Sequence, residues 1–296
     1  MADATAVSVG GLFERRANWI ARLQQGPGEE AHREVAVTPS GPPPSRWTLR
    51  TIRVSFPEFA AYTLSGVWRA LRRFDLCLRS ARVQQYSPDP DYAAKEERLL
   101  AGLREATAAP GEVVVLFWDE MGFFRWPEPA TDWGPTAPLP PPVAQRSATN
   151  NQQWRILGAL NALTGQVNYL DNYIVGREKV IAMYRTLDQV YPDARRIYVA
   201  QDNWSIHRHP DVLAALEVLS RLEPLWLPTY APWLNPIEKL WRWLRQDVLK
   251  LHRRADEWAT LRATVRDFLS QFAHGSAELL RYVGLTGEGK LAQALQ

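Results

Sequence analysis

The stretch LWLPTYAPWLNPIEKLWRWLR, from Leu225 to Arg245, places an acidic side chain where a strand gives way to a helix. Its first three residues are apolar and stop at Pro228, which predicts a short strand followed by a loop. Asn235 is a suitable N-cap and Pro236 suits the first helical position, so Glu238 falls on the first turn of the helix. A carboxylate at that position can point across the end of a sheet.

Two interpretations of Glu238 remain open at this stage. The Asn-Pro-Ile-Glu spacing matches a capping box, in which the glutamate bonds back to the amide of Asn235 and only stabilises the helix start. The other interpretation is a metal site, because two further acids lie at predicted strand ends. Asp119 follows the apolar run 113–118, and Asp202 follows the apolar run 196–201.

Predicted strands and helices alternate after residue 112. Three strands come first and are followed by helix, strand, helix, strand and helix. The strands are predicted at 113–118, 154–160, 166–174, 196–201 and 225–227, and the helices at 177–190, 210–222, 235 onward and 258–272. This order is that of the ribonuclease-H-like fold, an α/β fold with a mixed five-stranded sheet. Its first and fourth strands are parallel neighbours, which would bring Asp119 and Asp202 side by side with Glu238 reaching in from the helix.

Composition indicates an ordinary globular protein with room for one large domain and a smaller one. The chain has 296 residues, of which 46% are apolar and 23% charged, with a net charge of +3. The single cysteine, Cys77, excludes an internal disulfide, and its apolar neighbours predict that it is at least half-buried. The chain shows no signal-peptide core, transmembrane run or zinc-type spacing, so we expect a soluble cytoplasmic protein that associates with the bacterial nucleoid when bound to DNA.

Residues 46–92 are predicted to form a small helical module and a linker. The segment 46–82 contains eight arginines against two acids. In its last helix an apolar stripe leaves Arg69, Arg72 and Arg73 on the outside. A short helix, a turn and a basic helix fit a helix-turn-helix that binds DNA, whereas the alternative is a solvated basic face on a helical hairpin. Residues 1–45 are poorly defined and are expected to hold at most a truncated first unit.

Three carboxylates at one sheet edge suit hard divalent cations. Mg²⁺ prefers oxygen ligands and binds through a few carboxylates together with substrate phosphates. Two such ions, roughly 3.5–4 Å apart, can activate the attacking oxygen and stabilise the leaving oxygen in phosphodiester cleavage. Without cations, mutual repulsion would raise the pKa values of the acids.

Three blocks of the sequence resemble the acidic motifs of DDE transposases, in particular the insertion-sequence 630 and mariner superfamily. They are WDEMG at 118–122, QDNWSIH at 201–207 and LPTYAPWLNPIEKLW at 227–241. The third block is long and specific, the second is moderately specific, and the first is weak by itself. The resemblance covers roughly 112–250, and a weaker similarity extends to 46–92, so the predicted catalytic domain is 93–296.

The resemblance implies a catalytic role for Asp119, Asp202 and Glu238 as ligands of two Mg²⁺ ions, for which Mn²⁺ can substitute. The implied reaction is cleavage and joining of double-stranded DNA at terminal inverted repeats and target DNA, carried out by a homodimer. A catalytically silent remnant that only binds DNA is the alternative, because only one of the family's two helix-turn-helix units is legible. A ribonuclease-H-like nuclease with another substrate fits the third block less well.

Four further residues are expected to support the metal site. The resemblance places Asn203 and His207 around it, although His207 is alternatively a hydrogen-bonded residue at the start of the next helix. Glu120 would point to the opposite face of the sheet if its strand continued beyond Asp119. Asn235 is expected to cap the helix that carries the third acid. The segment 127–142 is interpreted as an irregular surface loop.

Overall fold

The computed structural model describes residues 47–78, 86–132 and 141–296. The predictions for residues 1–45 and for half of the loop at 127–142 concern residues outside these ranges. The described residues fall into two compact units, 47–78 and the part from 86 onward. The predicted domain boundary after residue 92 stays a prediction.

The first unit contains two helices joined by a short 3-10 turn. Helix α1 is Leu49–Ser55, the turn is Pro57–Phe59, and α2 is Leu64–Arg73. Hydroxyl caps define both helix starts, since Thr48 and Thr63 accept hydrogen bonds from backbone amides of the first turns. The unit has its own small core, made of Ile52, Phe56, Phe59, Val67 and Leu71.

Cys77 contradicts the prediction that it would be at least half-buried. It is an exposed free cysteine. Helix α2 ends at Arg73, so Cys77 lies in an irregular segment beyond the helix, where no helical face turns it toward the core.

The second unit is built on one mixed sheet. Its strands are β1 (Val113–Phe124), β2 (Gln153–Asn161), β3 (Val167–Asn172), β4 (Arg196–Gln201) and β5 (Leu222–Trp226). Its helices are α3 (Tyr92–Ala108), α4 (Arg177–Val190), α5 (Pro210–Val218), α6 (Ile237–Leu244), α7 (Trp258–Ser270), α8 (Ala277–Val283) and α9 (Lys290–Ala294).

The strand order is β3-β2-β1-β4-β5. Strand β1 is antiparallel to β2 and parallel to β4, and β4 is parallel to β5. The predicted mixed five-stranded sheet of the ribonuclease-H-like fold is therefore confirmed, including the parallel pairing of its first and fourth strands. This pairing brings the carboxyl ends of β4 and β5 to the same edge, beside the middle of β1.

Each face of the sheet is covered by its own apolar layer. Alternate residues of β1 belong to different layers, so Phe117 packs with Trp241 on one face and Trp118 packs with Tyr184 on the other. The near-continuous burial of β1 from Val113 to Trp118 follows from this double covering. Truncating one of these core side chains to alanine would cost about 2–5 kcal/mol.

In the second unit, three predicted boundaries were wrong by three residues or more. Strand β1 does not stop at Trp118 but continues to Phe124, because β2 pairs with it over that whole length. Helix α5 ends at Val218 instead of Leu222, and β5 begins at Leu222 instead of Leu225. Pro224 argued against a strand at this position in the sequence. It is tolerated because β5 is an edge strand.

In the described parts of the chain, no helix has both the length and the apolar character needed to cross a membrane.

Candidate metal and DNA-cleavage site

Three different elements deliver the three predicted acids to one region of the sheet. Asp119 lies within β1 and faces Gly158 of β2 across the ladder. Asp202 is the first residue after β4, and Glu238 is the second residue of α6. The charges of Asp202 and Glu238 both act on Asp119, which places the three carboxyl groups within electrostatic reach of one another.

The side chain of Asp119 is held by a tryptophan of α6, Trp241. Its Oδ2 accepts a hydrogen bond of 2.9 Å from Nε1 of Trp241. The indole fits because Gly158 has no side chain: a Cβ there would lie 2.6 Å from the Trp241 ring. A lone glycine inside the apolar run of β2 is the sequence signal that could have revealed this close approach.

The electrostatics of Asp119 are those of a carboxyl group without a compensating cation. Burial raises its pKa to about 7, and the negative charges of Glu238 and Asp202 act in the same direction. The hydrogen bonds from Trp241 and from the Glu120 amide oppose this rise only in part. Partial burial also raises the pKa of Glu238, against the nearby positive charges of Arg242 and Arg245.

Asp202 is fixed by the backbone that follows it. Its Oδ1 accepts a hydrogen bond of 3.0 Å from the amide of Trp204, while 64% of the side chain remains exposed. Nε2 of the buried His207 lies 3.7 Å from the same oxygen. The accessible face of Asp202 leaves this carboxylate open to a ligand.

His207 lies between two indoles and beside the second acid. Its ring makes edge contacts with Trp118 and Trp204, and burial lowers its pKa to about 4, so the imidazole is neutral. His207 itself belongs to a short 3-10 helix, Ser205–Arg208, and its Nδ1 has no hydrogen-bond partner among the residues that the structure covers. The alternative prediction, a hydrogen-bonded histidine at the start of the next helix, fits His209 instead of His207. Nδ1 of His209 caps α5 by accepting a hydrogen bond from the amide of Asp211.

Asn235 does not cap α6, which corrects the prediction. The helix begins without a side-chain cap, and Nδ2 of Asn235 instead donates a 3.0 Å hydrogen bond to the carbonyl of Trp118. The amide of Asn235 donates to the carbonyl of Pro232 instead of to the Glu238 side chain, so the capping-box interpretation of Glu238 is wrong as well. The buried asparagine ties the start of α6 to the residue before Asp119.

Glu120 and Asn203 adjoin the first two acids. Glu120 follows Asp119 in β1 and therefore faces the opposite side of the sheet, but burial and the Asp119 charge raise its pKa to about 8. Asn203 donates a 2.8 Å hydrogen bond to the carbonyl of Leu227 and accepts one of 2.9 Å from Arg208. Asn203 thus connects the end of β4 to the loop that leads to α6.

The predicted DNA-binding arginines lie in the other unit. Arg69, Arg72 and Arg73 are exposed on α2, whereas Val67 and Leu71 of the same helix are buried. Trp68 adds an exposed aromatic side chain to this basic surface.

The carboxyl groups fit a hard divalent cation by their chemistry. Within residues 47–78, 86–132 and 141–296, no three His, Cys, Asp or Glu side chains form a group tight enough to hold a metal ion. Mg²⁺, however, usually keeps several waters and binds through only one or two carboxylates plus substrate phosphates. Burial and, after it, the negative charges of Glu238 and Asp202 raise the pKa of Asp119, and a cation at this position would neutralise that negative charge.

The model of a family described as DDE superfamily endonuclease matches residues 114–262, just over half of the chain, and this range includes all three acids. The chain belongs to this family. Membership in the DDE superfamily endonucleases agrees with the order of strands and helices around Asp119, Asp202 and Glu238.

Individual relatives of this DDE superfamily endonuclease are distant. An insertion element IS630 uncharacterized 39 kDa protein from Shigella sonnei is 24% identical over 229 residues, or 76% of this chain. The chain spans 64% of that relative's length.

Two solved structures share the fold at 17% identity. The Mos1 transposase paired-end complex with left transposon end gives a TM-score of 0.56, with 99% of this chain and 90% of that chain covered. The Mos1 mariner paired end complex with Mn gives 0.59, with 98% and 86% covered.

Proposed function

We propose that this DDE superfamily endonuclease is a transposase that cuts and joins DNA strands at transposon ends with the help of divalent metal ions. The observation that carries the proposal is the placement of three acids by neighbouring elements: Asp119 in β1, Asp202 directly after the parallel strand β4, and Glu238 in the first turn of α6. The charges of Glu238 and Asp202 also raise the pKa of Asp119. Uncompensated carboxylates of this kind are costly for the folded state unless a cation binds them. Endonuclease activity, the cleavage of phosphodiester bonds, is what the description of the chain's family names.

In this proposal Asp119, Asp202 and Glu238 would hold two Mg²⁺ or Mn²⁺ ions, and the chemistry supplied at this site would be activation of the attacking oxygen and stabilisation of the leaving oxygen. Trp241 orients the Asp119 carboxylate through its indole hydrogen bond, and the Trp204 amide orients Asp202. The fold-related Mos1 mariner complex that contains Mn supports the choice of metal.

The substrate in this proposal is double-stranded DNA, both terminal inverted repeats and target DNA. Arg69, Arg72 and Arg73 bind DNA phosphates and the major groove from α2, and two copies of the chain act together as a homodimer. The exposed basic face of α2 supports the DNA contact, as does the paired-end arrangement of the fold-related Mos1 transposase complex with a transposon end. Four neighbouring residues support the three acids in this proposal: Asn203, His207, Glu120 and Asn235.

The test is metal-dependent nicking of supercoiled plasmid and of linear DNA that carries the element's terminal repeats. Wild type is compared with Asp202→Asn, which keeps the shape of the side chain but removes its charge. We expect nicking with Mg²⁺ or Mn²⁺ by wild type and a loss of at least about a hundredfold in the variant. Calorimetric Mn²⁺ titration without DNA gives an independent readout, because the variant is expected to bind fewer or weaker ions.

Equal nicking by wild type and Asp202→Asn would contradict the proposed site. Failure of both proteins to cut DNA with repeat ends, while DNA binding is retained, would favour the catalytically silent DNA-binding protein.

A further inference from the structure

The loop between β5 and α6 is fastened to a distant segment of the chain by two side chains. Oδ2 of Asp89 accepts a 2.8 Å hydrogen bond from the amide of Thr229. Oγ of Ser87 donates a 2.5 Å hydrogen bond to the carbonyl of the same residue. Both polar groups of the Thr229 backbone are thus occupied by residues about 140 positions earlier in the sequence. We call Ser87 and Asp89 the clasp.

Asp89 accepts most of the hydrogen bonds of the clasp. Its side chain is only 3% exposed, and Oδ2 also accepts a 2.7 Å hydrogen bond from Lys95. Its Oδ1 accepts from the amide of Asp91, which fixes the chain just before α3. The Lys95 ammonium and the Thr229 amide hold the pKa of Asp89 at about 2, so the acceptor stays ionised at neutral pH.

The fastened loop also contacts the residues that adjoin Asp202 and Asp119. Asn203, next to Asp202, donates to the Leu227 carbonyl at 2.8 Å and lies 3.4 Å from the Thr229 hydroxyl. Asn235, at the other end of the loop, donates to the carbonyl of the residue before Asp119. One loop therefore connects the backbones of all three acids, since Glu238 follows it directly.

The backbone of this loop requires external support. Tyr230, next to Thr229, has a φ of +55°, a left-handed backbone conformation that residues other than glycine rarely adopt. The Tyr230 side chain is 76% exposed, so its own packing supplies little restraint. The clasp acts on the residue directly before this unfavourable position.

We propose that Ser87 and Asp89 are positioning residues for the metal site, which set the placement of Glu238 relative to Asp202 and Asp119 by holding Thr229. This inference rests on the proposed metal-dependent function of the three acids. In this role the clasp residues act through their hydrogen bonds to Thr229, not through contact with DNA, metal or the reacting atoms. Their loss loosens the loop and weakens metal binding by the acids.

The first experiment compares full-length wild type with Asp89→Asn and Ser87→Ala. The metal probe is Tb³⁺ alone, whose luminescence is sensitised by nearby tryptophan, and nicking is measured over a range of Mn²⁺ concentrations. We expect Asp89→Asn to raise the metal concentration for half-saturation about tenfold in both assays, as is typical when a group supporting a metal ligand is lost. Ser87→Ala is expected to shift it in the same direction but less, while plasmid affinity in the absence of metal stays unchanged.

Asp188→Asn is the matched control. It also removes a carboxylate that accepts a 2.7 Å hydrogen bond from a basic side chain, Arg221, but it lies at the end of α4, away from the fastened loop. The control is expected to lose thermal stability without any shift in metal half-saturation. A wild-type metal dependence in Asp89→Asn, or an equal shift in Asp188→Asn, would overturn the positioning role.

Amide hydrogen exchange separates this inference from the proposed function. If wild type neither binds Tb³⁺ nor nicks DNA, the proposed function fails, but exchange of the segment 228–238 still tests the clasp. Faster exchange in Asp89→Asn that spreads from Thr229 to Glu238 supports positioning by the clasp. Faster exchange confined to Thr229 and its neighbour contradicts it.

Discussion

The two ends of the paired strands β1 and β4 differ in how their acidic side chains are surrounded. At the carboxyl end of β4, Asp119 is surrounded by further carboxylates, and its pKa is raised to about 7. At the amino end, Glu105 of α3 is surrounded by hydrogen-bond donors and cations, and its pKa is lowered. Both are acids beside the same two strands, so the difference lies in their partners.

The amino-terminal cluster is fully paired. The Tyr198 hydroxyl donates to Glu105 at 2.8 Å, and Arg195 and Arg196 lie within 3.1 and 3.4 Å of its carboxylate. Glu223 of β5 adds a second carboxylate to this network beside Arg196. The arrangement stabilises the packing of α3 on the sheet and leaves no charge for a ligand.

Under the proposed function, this contrast would distinguish acids with a structural role from acids that bind a cation within a single sheet. Where a carboxylate has only a structural role, the fold supplies cations and lowers its pKa. At Asp119 and Asp202, the proposed cation ligands, the fold instead supplies a neutral indole and backbone amides. Raised pKa values are a recognised property of such functional sites.

Among substitutions that test this contrast, Gly158→Ala is expected to have the largest effect on metal-dependent nicking and on stability. The new Cβ would lie 2.6 Å from the Trp241 ring, so the indole must move away from Asp119. We expect metal-dependent nicking to fall about tenfold to a hundredfold and stability to fall by about 1–3 kcal/mol. Plasmid nicking and thermal unfolding measure the two effects.

Gly176→Ala is the control for this substitution, because a Cβ at Gly176 meets nothing within 4 Å. It is expected to keep wild-type nicking. Full activity in Gly158→Ala would show that the Trp241 contact does not matter for Asp119.

The second-largest effect is expected at the exposed arginines of α2. Replacing Arg69, Arg72 and Arg73 by alanine should weaken DNA binding and reduce the slope of log K against log salt by up to about 3, since each phosphate contact contributes roughly 0.9. Fluorescence anisotropy at several salt concentrations measures both quantities. Arg50→Ala, on α1, is the control for general charge and is expected to change them less; equal losses in both variants would argue against α2 as the DNA-binding helix.

The smallest effect is expected from Glu105→Gln at the paired end. The folded-state pKa of Glu105 lies below the ordinary value of 4.5, so its stabilisation is present above that pH and is lost as the pH falls. Because the cluster is exposed to solvent, the variant should lose no more than about 1 kcal/mol at pH 7 and show a weaker loss of stability below pH 4.5. Urea unfolding between pH 3 and 7 measures this, and nicking should remain unchanged. A large loss of nicking would remove the distinction between the two ends.

The sequence was sufficient where local pattern and strand order decide the structure. The bounds of α4 and β4 match the predictions at 177–190 and 196–201, and the parallel pairing of β1 with β4 follows from the fold class. These elements have strong periodicity or continuous apolar runs, which tertiary contacts reinforce. The acids could therefore be assigned to the same end of the sheet before the structure was known.

The sequence was insufficient where a side chain acts on a distant residue. Asn235 carries a strong local capping signal, but its amide bonds to Trp118, 117 positions away. Trp241 donates a hydrogen bond to Asp119, and only the close approach at Gly158 reveals this contact. Ser87 and Asp89 resembled a plain linker, although both bind the backbone of Thr229. Local periodicity contains no information about such partners.

Thermal unfolding of wild type and Asp119→Asn, with and without Mn²⁺, tests most directly whether the acids form a cation site. In the metal-free protein the folded-state pKa of Asp119 is about 7 against 3.8 for a free side chain, so rising pH between these values destabilises wild type. At pH 8 without metal we therefore expect the variant to be at least as stable as wild type. Mn²⁺ at about a hundred times its dissociation constant should stabilise wild type by about 2.7 kcal/mol and leave the variant nearly unchanged. Equal stabilisation of both proteins, or none in wild type, would contradict a cation site at Asp119.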